Sequence, residues 1–277
     1  MLIPDIRPPQ APVVVSYGGG TNSTAVLILM KRCGQVPALI MFADTGDEKP
    51  HTYAHLQHMQ GWCRDNGFPP ITVVRNELPA AIKDKTLYGE CFRKGTLPSK
   101  VFGYSSCSMK WKVEPQYKYL RKWMADNEAA HVVHYVGFDA DEEHRANKAV
   151  PKRDFESTRY PLIEADWGRD ECVAAIDEEG LPRPGKSACF MCPSSRKPEV
   201  IWLKQQHPDL YARAIALEAR ALKGEGQAPA ARVDGLGRHW NWATFAGSDV
   251  AVPEVDCGCY DGEGEPEPAG CSVEQLW

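Results

Sequence analysis

No apolar run in this sequence is long enough to cross a bilayer, and no short apolar segment follows a basic amino terminus. The sequence therefore predicts neither a membrane span nor a signal peptide, and the expected protein is soluble and cytoplasmic with no membrane partner. Positive charge is not in excess either. The 32 lysines and arginines face 37 aspartates and glutamates, a net charge of −5, which excludes a global basic footprint for nucleic acid. Basic residues do gather locally, between Lys94 and Lys112 and between Arg145 and Arg159, so one face could still meet a polynucleotide. Internal repeats are lacking, and so are two familiar phosphate loops. No Lys-Ser or Lys-Thr pair follows the glycine run at Gly18, Gly19 and Gly20, as a Walker A loop requires, and the unbroken run does not fit the spaced glycines of a dinucleotide fingerprint.

What is present is a strand, a turn and a helix in one stretch. Val13-Val14-Val15 reads as a short buried strand, Gly18-Gly19-Gly20 as a turn with unusual backbone freedom, and Ala25 to Met30 as the helix behind it. Without Cβ atoms such a turn lets several backbone N–H groups converge on one oxyanion, and the helix N-terminus adds unpaired donors and positive potential. Ser23 and Thr24 can cap the helix or donate hydroxyls to the same phosphate.

Further runs follow in alternation. Ala38 to Ala43 predicts a strand that stops at Asp44-Thr45-Gly46, a helical pattern spans Tyr53 to Asn66, and Ile71 to Val74 predicts a third strand. A loop-rich stretch over 84–108 precedes a helix from about Lys110 to Asp126, then a fourth strand at His131 to Val136. Helical patterns return at Arg169 to Glu179 and from Pro198 to Leu222, broken near Pro208. Alternation of this kind predicts an α/β fold, a doubly wound parallel sheet with ligands at the carboxyl ends of its strands. The expected division is a nucleotide-binding α/β domain over 1–200 and a helical, loop-rich extension over 201–277 that carries Cys257, Cys259 and Cys271.

Ten cysteines in a chain without a secretory signal are better read as metal or redox groups than as disulfides. Cys189-Phe190-Met191-Cys192-Pro193 has ligand spacing, and the residue types leave an iron–sulfur cluster, a structural zinc and a metal-free redox pair all open. Cys33, Cys63 and Cys172 sit in helical patterns beside apolar residues and are expected to be ordinary buried thiols.

Several segments together resemble the PAPS reductase and adenylylsulfate reductase-like family of the PP-loop ATP pyrophosphatases. Gly18-Gly19-Gly20-Thr21-Asn22-Ser23 resembles the family loop SGGxDS, with glycine for its serine and Asn22 for its aspartate. Asp44-Thr45-Gly46, then Pro50-His51-Thr52-Tyr53, resembles the second family segment. Gly137 to Arg145 resembles G-x-R-x-D-E-x-x-R, with Asp139 in place of the first arginine and Arg145 keeping the second. Tyr160-Pro161-Leu162-Ile163 with Trp167 resembles a further element. Cys107, with Lys110, Lys112 and Val113-Glu114-Pro115, resembles the segment that holds a tandem cysteine pair in adenylylsulfate reductases, although Ser106 stands where the first cysteine would be.

This resemblance implies an adenine nucleotide α-hydrolase-like fold and binding of ATP or a sulfonucleotide at Ser16, Gly18, Gly19, Gly20, Asn22, Ser23, Thr24, Asp44 and Thr45, with Mg²⁺ where ATP is the ligand. It implies a 4Fe–4S cluster on Cys107, Cys189, Cys192 and Cys259, with zinc as the alternative metal and Cys257, then Cys91 and Cys271, as alternative fourth ligands. Lys110, Lys112 and Arg145 are expected to converge on phosphate or sulfate. Val255-Asp256-Cys257-Gly258 resembles a degraded E-C-G-x-H segment, which makes Cys257 a candidate nucleophile toward sulfur. Two activities follow from the resemblance: reduction of a sulfonucleotide, with a thioredoxin-like reductant, or adenylation and thiolation of tRNA or DNA, with a sulfur donor. A nucleotide- or DNA-binding module with structural zinc is the non-catalytic alternative.

Overall fold

In β1, Val13–Ser16, the pleat of the strand decides which helix each side chain meets. Val13 and Val15 join Tyr17 in a cluster with the helices of one sheet face. Val14 packs on the opposite face with Leu39, Met41, Leu120 and Met124. The computed structural model describes residues 10–146, 153–224 and 233–247. Within them the chain runs β1, α1 (Thr21–Arg32), β2 (Leu39–Asp44), α2 (Pro50–Asp65), β3 (Ile71–Arg75) and α3 (Leu87–Lys94). It continues through the single turn α4 (Ser106–Ser108), α5 (Glu114–Asp126), β4 (Val132–Tyr135), the short α6 (Glu143–Ala146) and β5 (Glu156–Arg159). The remaining helices are α7 (Pro161–Glu164), α8 (Arg169–Glu178), α9 (Lys197–Gln206), α10 (Pro208–Leu222) and α11 (Trp242–Gly247).

The five strands pair in the order β3-β2-β1-β4-β5, and every pairing is parallel. The doubly wound sheet expected from the alternation is therefore what the chain forms. Its first three strands build outward in one direction, and the chain then returns past α3 and α5 to place β4 on the other side of β1. The reversal opens a crevice between the carboxyl ends of β1 and β4, where this architecture holds ligands.

Helix α1 is buried almost all round, from Ala25 to Met30, because it lies between the sheet and α8. Pro50 and Pro208 each take the first position of their helix, where a missing N–H costs nothing. A third cluster builds a separate wall, in which Leu87, Val101 and Trp111 pack with Phe190, Met191, Val200, Leu203 and Leu217. Helix α9 of this wall runs across position 200, where the sequence suggested a division.

Two local features were not anticipated. Met109–Val113 forms a π-helical turn ahead of α5, a wider winding that recurs at functional sites, so the regular helix begins at Glu114 rather than near Lys110. β5 gave no apolar signal because only Glu156 of its four residues is buried. A polar strand suits its place at the edge of the sheet.

Candidate functional site

The glycine loop crosses from β1 to α1 with Gly19 at φ +76°, a conformation L side chains rarely adopt. A Cβ there would also come within 3.0 Å of the Thr52 methyl group. Gly20 is extended at the start of α1. Its N–H donates to Ser23 Oγ at 3.3 Å, and the Ser23 hydroxyl donates back to the Gly20 carbonyl at 3.1 Å. From the other side Gly137, just beyond β4, lies so close that its Cβ would sit 3.0 Å from the Asn22 carbonyl carbon and the Ser23 nitrogen. The helix N-terminus is thus seated by backbone on backbone.

Above the loop opens a cleft of about 680 Å³, lined by Ser16, Gly18, Gly20, Asn22 and Ser23 among others. Lys49, Lys100, Lys112, Arg145, Arg169 and Lys186 line it against only Glu142 and Glu199, so an anion entering the cleft meets a net positive field although the whole chain is acidic. Asn22 ties this rim together. Its Nδ2 donates to Glu142 Oε2 at 2.9 Å, and its Oδ1 accepts from Arg169 Nη1 at 3.4 Å. Glu142 also accepts from Arg145, whose guanidinium lies 4.5 Å from the centre of the Phe138 ring. An amide can join a carboxylate and a guanidinium in this way, donating to one and accepting from the other.

Lys112 Nζ pairs with Glu48 Oε1 at 2.8 Å, and the Glu48 carboxylate has no solvent exposure. Burial alone would lower the Lys112 ammonium, but Glu48 and then Cys189 more than offset this and hold it above its ordinary value. Lys110 does not converge with it. Its Nζ pairs with Glu90 Oε1 at 2.5 Å, beside Lys94, while Trp111 Nε1 donates to the other Glu90 oxygen at 2.9 Å. Side chains two positions apart on a helical turn do not share a face, so the two lysines meet different partners.

Not every residue expected to bind nucleotide reaches the cleft. Thr24 is fully buried, with its hydroxyl 3.2 Å from Tyr17 OH and 3.0 Å from His55 Nε2. Asp44 accepts from Tyr53 OH at 2.7 Å, from the Gly46 N–H at 2.8 Å and from Arg75 Nη2 at 2.6 Å, so it organises the turn after β2. Thr45 Oγ1 donates to Glu48 Oε1 at 3.2 Å and lies 3.3 Å from Cys189 Sγ. Both are buried. Ser16, Gly18, Gly20, Asn22 and Ser23 face the cleft, and Gly19 shapes the loop from beneath.

The cysteine segment is sewn to the turn after β2. Glu48 and Cys189 form an antiparallel bridge, Lys49 N–H donates to Ala188 O at 3.0 Å, and Phe190 N–H donates to Asp47 O at 2.8 Å. Ser187 then reaches across and donates to the Gly18 carbonyl. Burial, with Glu48 beside it, pushes the Cys189 thiol well up, and Lys112 works in the opposite direction. Cys192 lines the cleft. Among the described residues, however, no group of three or more His, Cys, Asp or Glu side chains is placed to hold a metal ion. The described thiols therefore do not by themselves fit a 4Fe–4S cluster or a Cys₄ zinc. Cys257, Cys259 and Cys271 lie outside the described residues.

Residues 12–181, more than half of the chain, match the phosphoadenosine phosphosulfate reductase domain. The protein belongs to this family. The family segment contains the loop, the turn after β2 and the Asn22–Glu142–Arg145 rim, and it ends before Cys189 and Cys192. A curated relative, an uncharacterized protein of Methanocaldococcus jannaschii, is 26% identical over 221 residues, which is 74% of this chain and 41% of the relative. The chain thus spans about two fifths of that relative's length. Among solved structures, the U34-tRNA thiolase NcsA from Methanococcus maripaludis, with its 4Fe–4S cluster, is similar at a TM-score of 0.40 and 14% identity, covering 86% of this chain and 80% of that one.

Several cleft residues carried no signal in the sequence. Arg169 opens α8 and reaches Asn22, and Lys49 is almost completely buried against Glu199 at 2.6 Å. His51 Nε2 donates to the Lys186 carbonyl, 3.1 Å away, and the ring packs edge-on against Trp202. Lys49 and His51 lie within or beside the quoted family segments, so proximity to a motif was the one clue available.

Proposed function

We propose that this protein is an adenine-nucleotide enzyme of the PP-loop type that acts in sulfonucleotide reduction or sulfur transfer. The observation that carries this reading is the glycine loop at the N-terminus of α1, open to a cleft whose cations outnumber its carboxylates. Backbone N–H groups there would hold the phosphates, Lys112, Arg145 and Arg169 would offset their charge, and Ser23 would donate its hydroxyl. In the reductase form of this reading Cys257 attacks the sulfur of the bound sulfonucleotide, the S–O bond to the adenylate breaks, and a thioredoxin-like reductant later releases sulfite. In the alternative form an acceptor on tRNA or DNA is adenylated from ATP with loss of pyrophosphate and then receives sulfur from a donor. The cysteine set Cys107, Cys189, Cys192 and Cys259 belongs to the same proposal as the ligands of a 4Fe–4S cluster.

The test is calorimetry with ATP, AMP, PAPS and adenylylsulfate on the wild type and on Gly20→Val. A Cβ on Gly20 meets nothing nearer than Ser187 Cβ at 3.7 Å, so valine is expected to leave the fold intact while filling the space a phosphate needs. Binding of none of the four to the wild type would sink the reading. Iron and sulfide analysis of protein purified without oxygen decides the metal: about four of each for the cluster, zinc and no colour for the competing site.

A further inference from the structure

The α5 face of the sheet carries three polar side chains whose contacts with one another the nucleotide reading does not use. Ser16 ends β1, His134 lies in β4 and Glu156 starts β5, and strand alternation puts all three on the side of Val14 and Val132, toward α5. They are 5%, 8% and 9% exposed. Ser16 Oγ lies 2.7 Å from His134 Nε2, and His134 Nδ1 lies 3.5 Å from Glu156 Oε2. Arg153 Nη1 pairs with Glu156 Oε1 at 2.7 Å, and its guanidinium lies over the Tyr117 ring. Ser16 alone of the three also lines the cleft. A cavity of about 20 Å³ borders His134, Glu156 and Gln116.

Resting on the nucleotide reading above, we propose that Ser16, His134 and Glu156 form a proton relay in the floor of the cleft, with Ser16 as the group that takes a proton from an attacking substrate and His134 and Glu156 as positioning residues. The order of contacts is that of a hydroxyl, a base and an orienting carboxylate. Glu156 is suited to its end of the chain: burial opposes its ionisation, but hydrogen bonds from His134 and Arg153 hold its carboxyl below the ordinary value. An ionised Glu156 favours the proton of neutral His134 on Nδ1, which leaves Nε2 bare to accept from Ser16. The groups facing His134 from each packed element are Ser16 on β1, Gln116 on α5, and Glu156 with Arg153 at the edge strand. As the amide stands, the Ser16 hydroxyl donates to Gln116 Oε1 at 2.6 Å. The relay requires that amide turned over, so that its NH₂ donates to Ser16 Oγ and the Ser16 proton goes to His134.

The step balances without an oxidant or reductant. As an O–H or S–H group attacks the α-phosphorus of a bound nucleotide, its proton passes to Ser16 Oγ while the Ser16 proton passes to His134 Nε2. The new bond to phosphorus forms, the bond to the leaving oxygen breaks with its electron pair, and the imidazolium is held against Glu156.

The experiment uses the full chain with ¹⁵N-labelled histidine, and the His134 signal is identified by its loss in His134→Gln. The relay requires Nδ1 protonated and Nε2 bare at about pH 8, and the imidazole of Glu156→Gln should take its second proton at lower pH than that of wild type. Protonation of Nε2 in wild type, or no shift in Glu156→Gln, overturns the proposal. In parallel, pyrophosphate release from ATP with water as acceptor is followed across pH. His134→Gln should slow it about 100-fold and remove the acid limb of the profile, while calorimetry shows AMP affinity within about twofold of wild type. Should that variant fail to fold, Glu156→Gln must shift the limb to lower pH. An unchanged limb, or a wild type that releases no pyrophosphate at any pH, also overturns the relay. Failure of the wild type to bind AMP would instead refute the nucleotide reading and leave the tautomer to be judged on its own.

Discussion

Gly137 and Asn22 meet backbone to backbone: a Cβ on Gly137 would stand 3.0 Å from the Asn22 carbonyl carbon and 3.1 Å from its oxygen. The end of β4 and the start of α1 are held at a spacing that only glycine allows. Because a main chain cannot swing aside as a side chain can, alanine at this position must shift the loop itself. Gly137→Ala is expected to lower stability by about 1–3 kcal/mol, the usual cost of overpacking. It should also weaken nucleotide binding about tenfold, equivalent to roughly 1.4 kcal/mol. Urea unfolding and calorimetry on the same preparation check both numbers.

Lys112→Gln separates charge compensation from ligand binding. Glu48 is buried, one of its oxygens has no hydrogen-bond partner, and the other depends on Lys112 and Thr45. Removing the ammonium strands the carboxylate, at an expected cost of about 3 kcal/mol. Adding Glu48→Gln should restore most of the lost stability without restoring nucleotide affinity. A double-mutant cycle by thermal denaturation reads the first effect, and titration with AMP reads the second. Equal melting temperatures for Lys112→Gln and wild type would place the lysine at the surface.

Asp47 makes stability depend on pH in the opposite sense to an ordinary paired carboxylate. Burial pushes its carboxyl up to about 7, against the pull of the Tyr88 N–H and Arg213. Its Oδ1 has no hydrogen-bond partner, and Arg213 Nη2 lies 3.7 Å away. A raised folded-state value means that the proton favours the fold. This contribution is complete below the ordinary carboxylate range and is lost as pH rises through about 7. Asp47→Asn keeps an acceptor for Tyr88 and removes the titration. The variant should match wild type near pH 4 and exceed it by about 3 kcal/mol at pH 8, as measured by denaturant melts at the two pH values.

The parallel α/β alternation and the glycine turn ahead of α1 were legible because they rest on residue type and spacing. Three β-branched residues, a glycine run and a continuous apolar helix leave little choice of local structure. The orientation of polar side chains at the strand ends was not legible. Asp44 and Thr45 sit where a ligand-binding rim was expected, yet Tyr53, Arg75 and Glu48 occupy them, and none of these pairings follows from spacing. Thr24 follows Ser23 directly, but one residue of helix turns it from the cleft to His55. Lys110 and Lys112 separate for a related reason, since side chains two positions apart on a helical turn do not share a face. The Ser16–His134–Glu156 line was hidden because β5 carries no apolar pattern, and the residues it joins lie more than a hundred positions from Ser16.

Ser187 is fastened to Gly18 of the glycine loop, Cys189 is paired with Glu48, and only Ala188 stands between them. Such a short tether works as a ruler. The span from the Gly18 carbonyl to the Cys189 thiol is set by the Ser187 hydrogen bond and the short backbone that follows it. A change in ligation or oxidation at that sulfur would pull directly on the loop, with no hinge in between to absorb it.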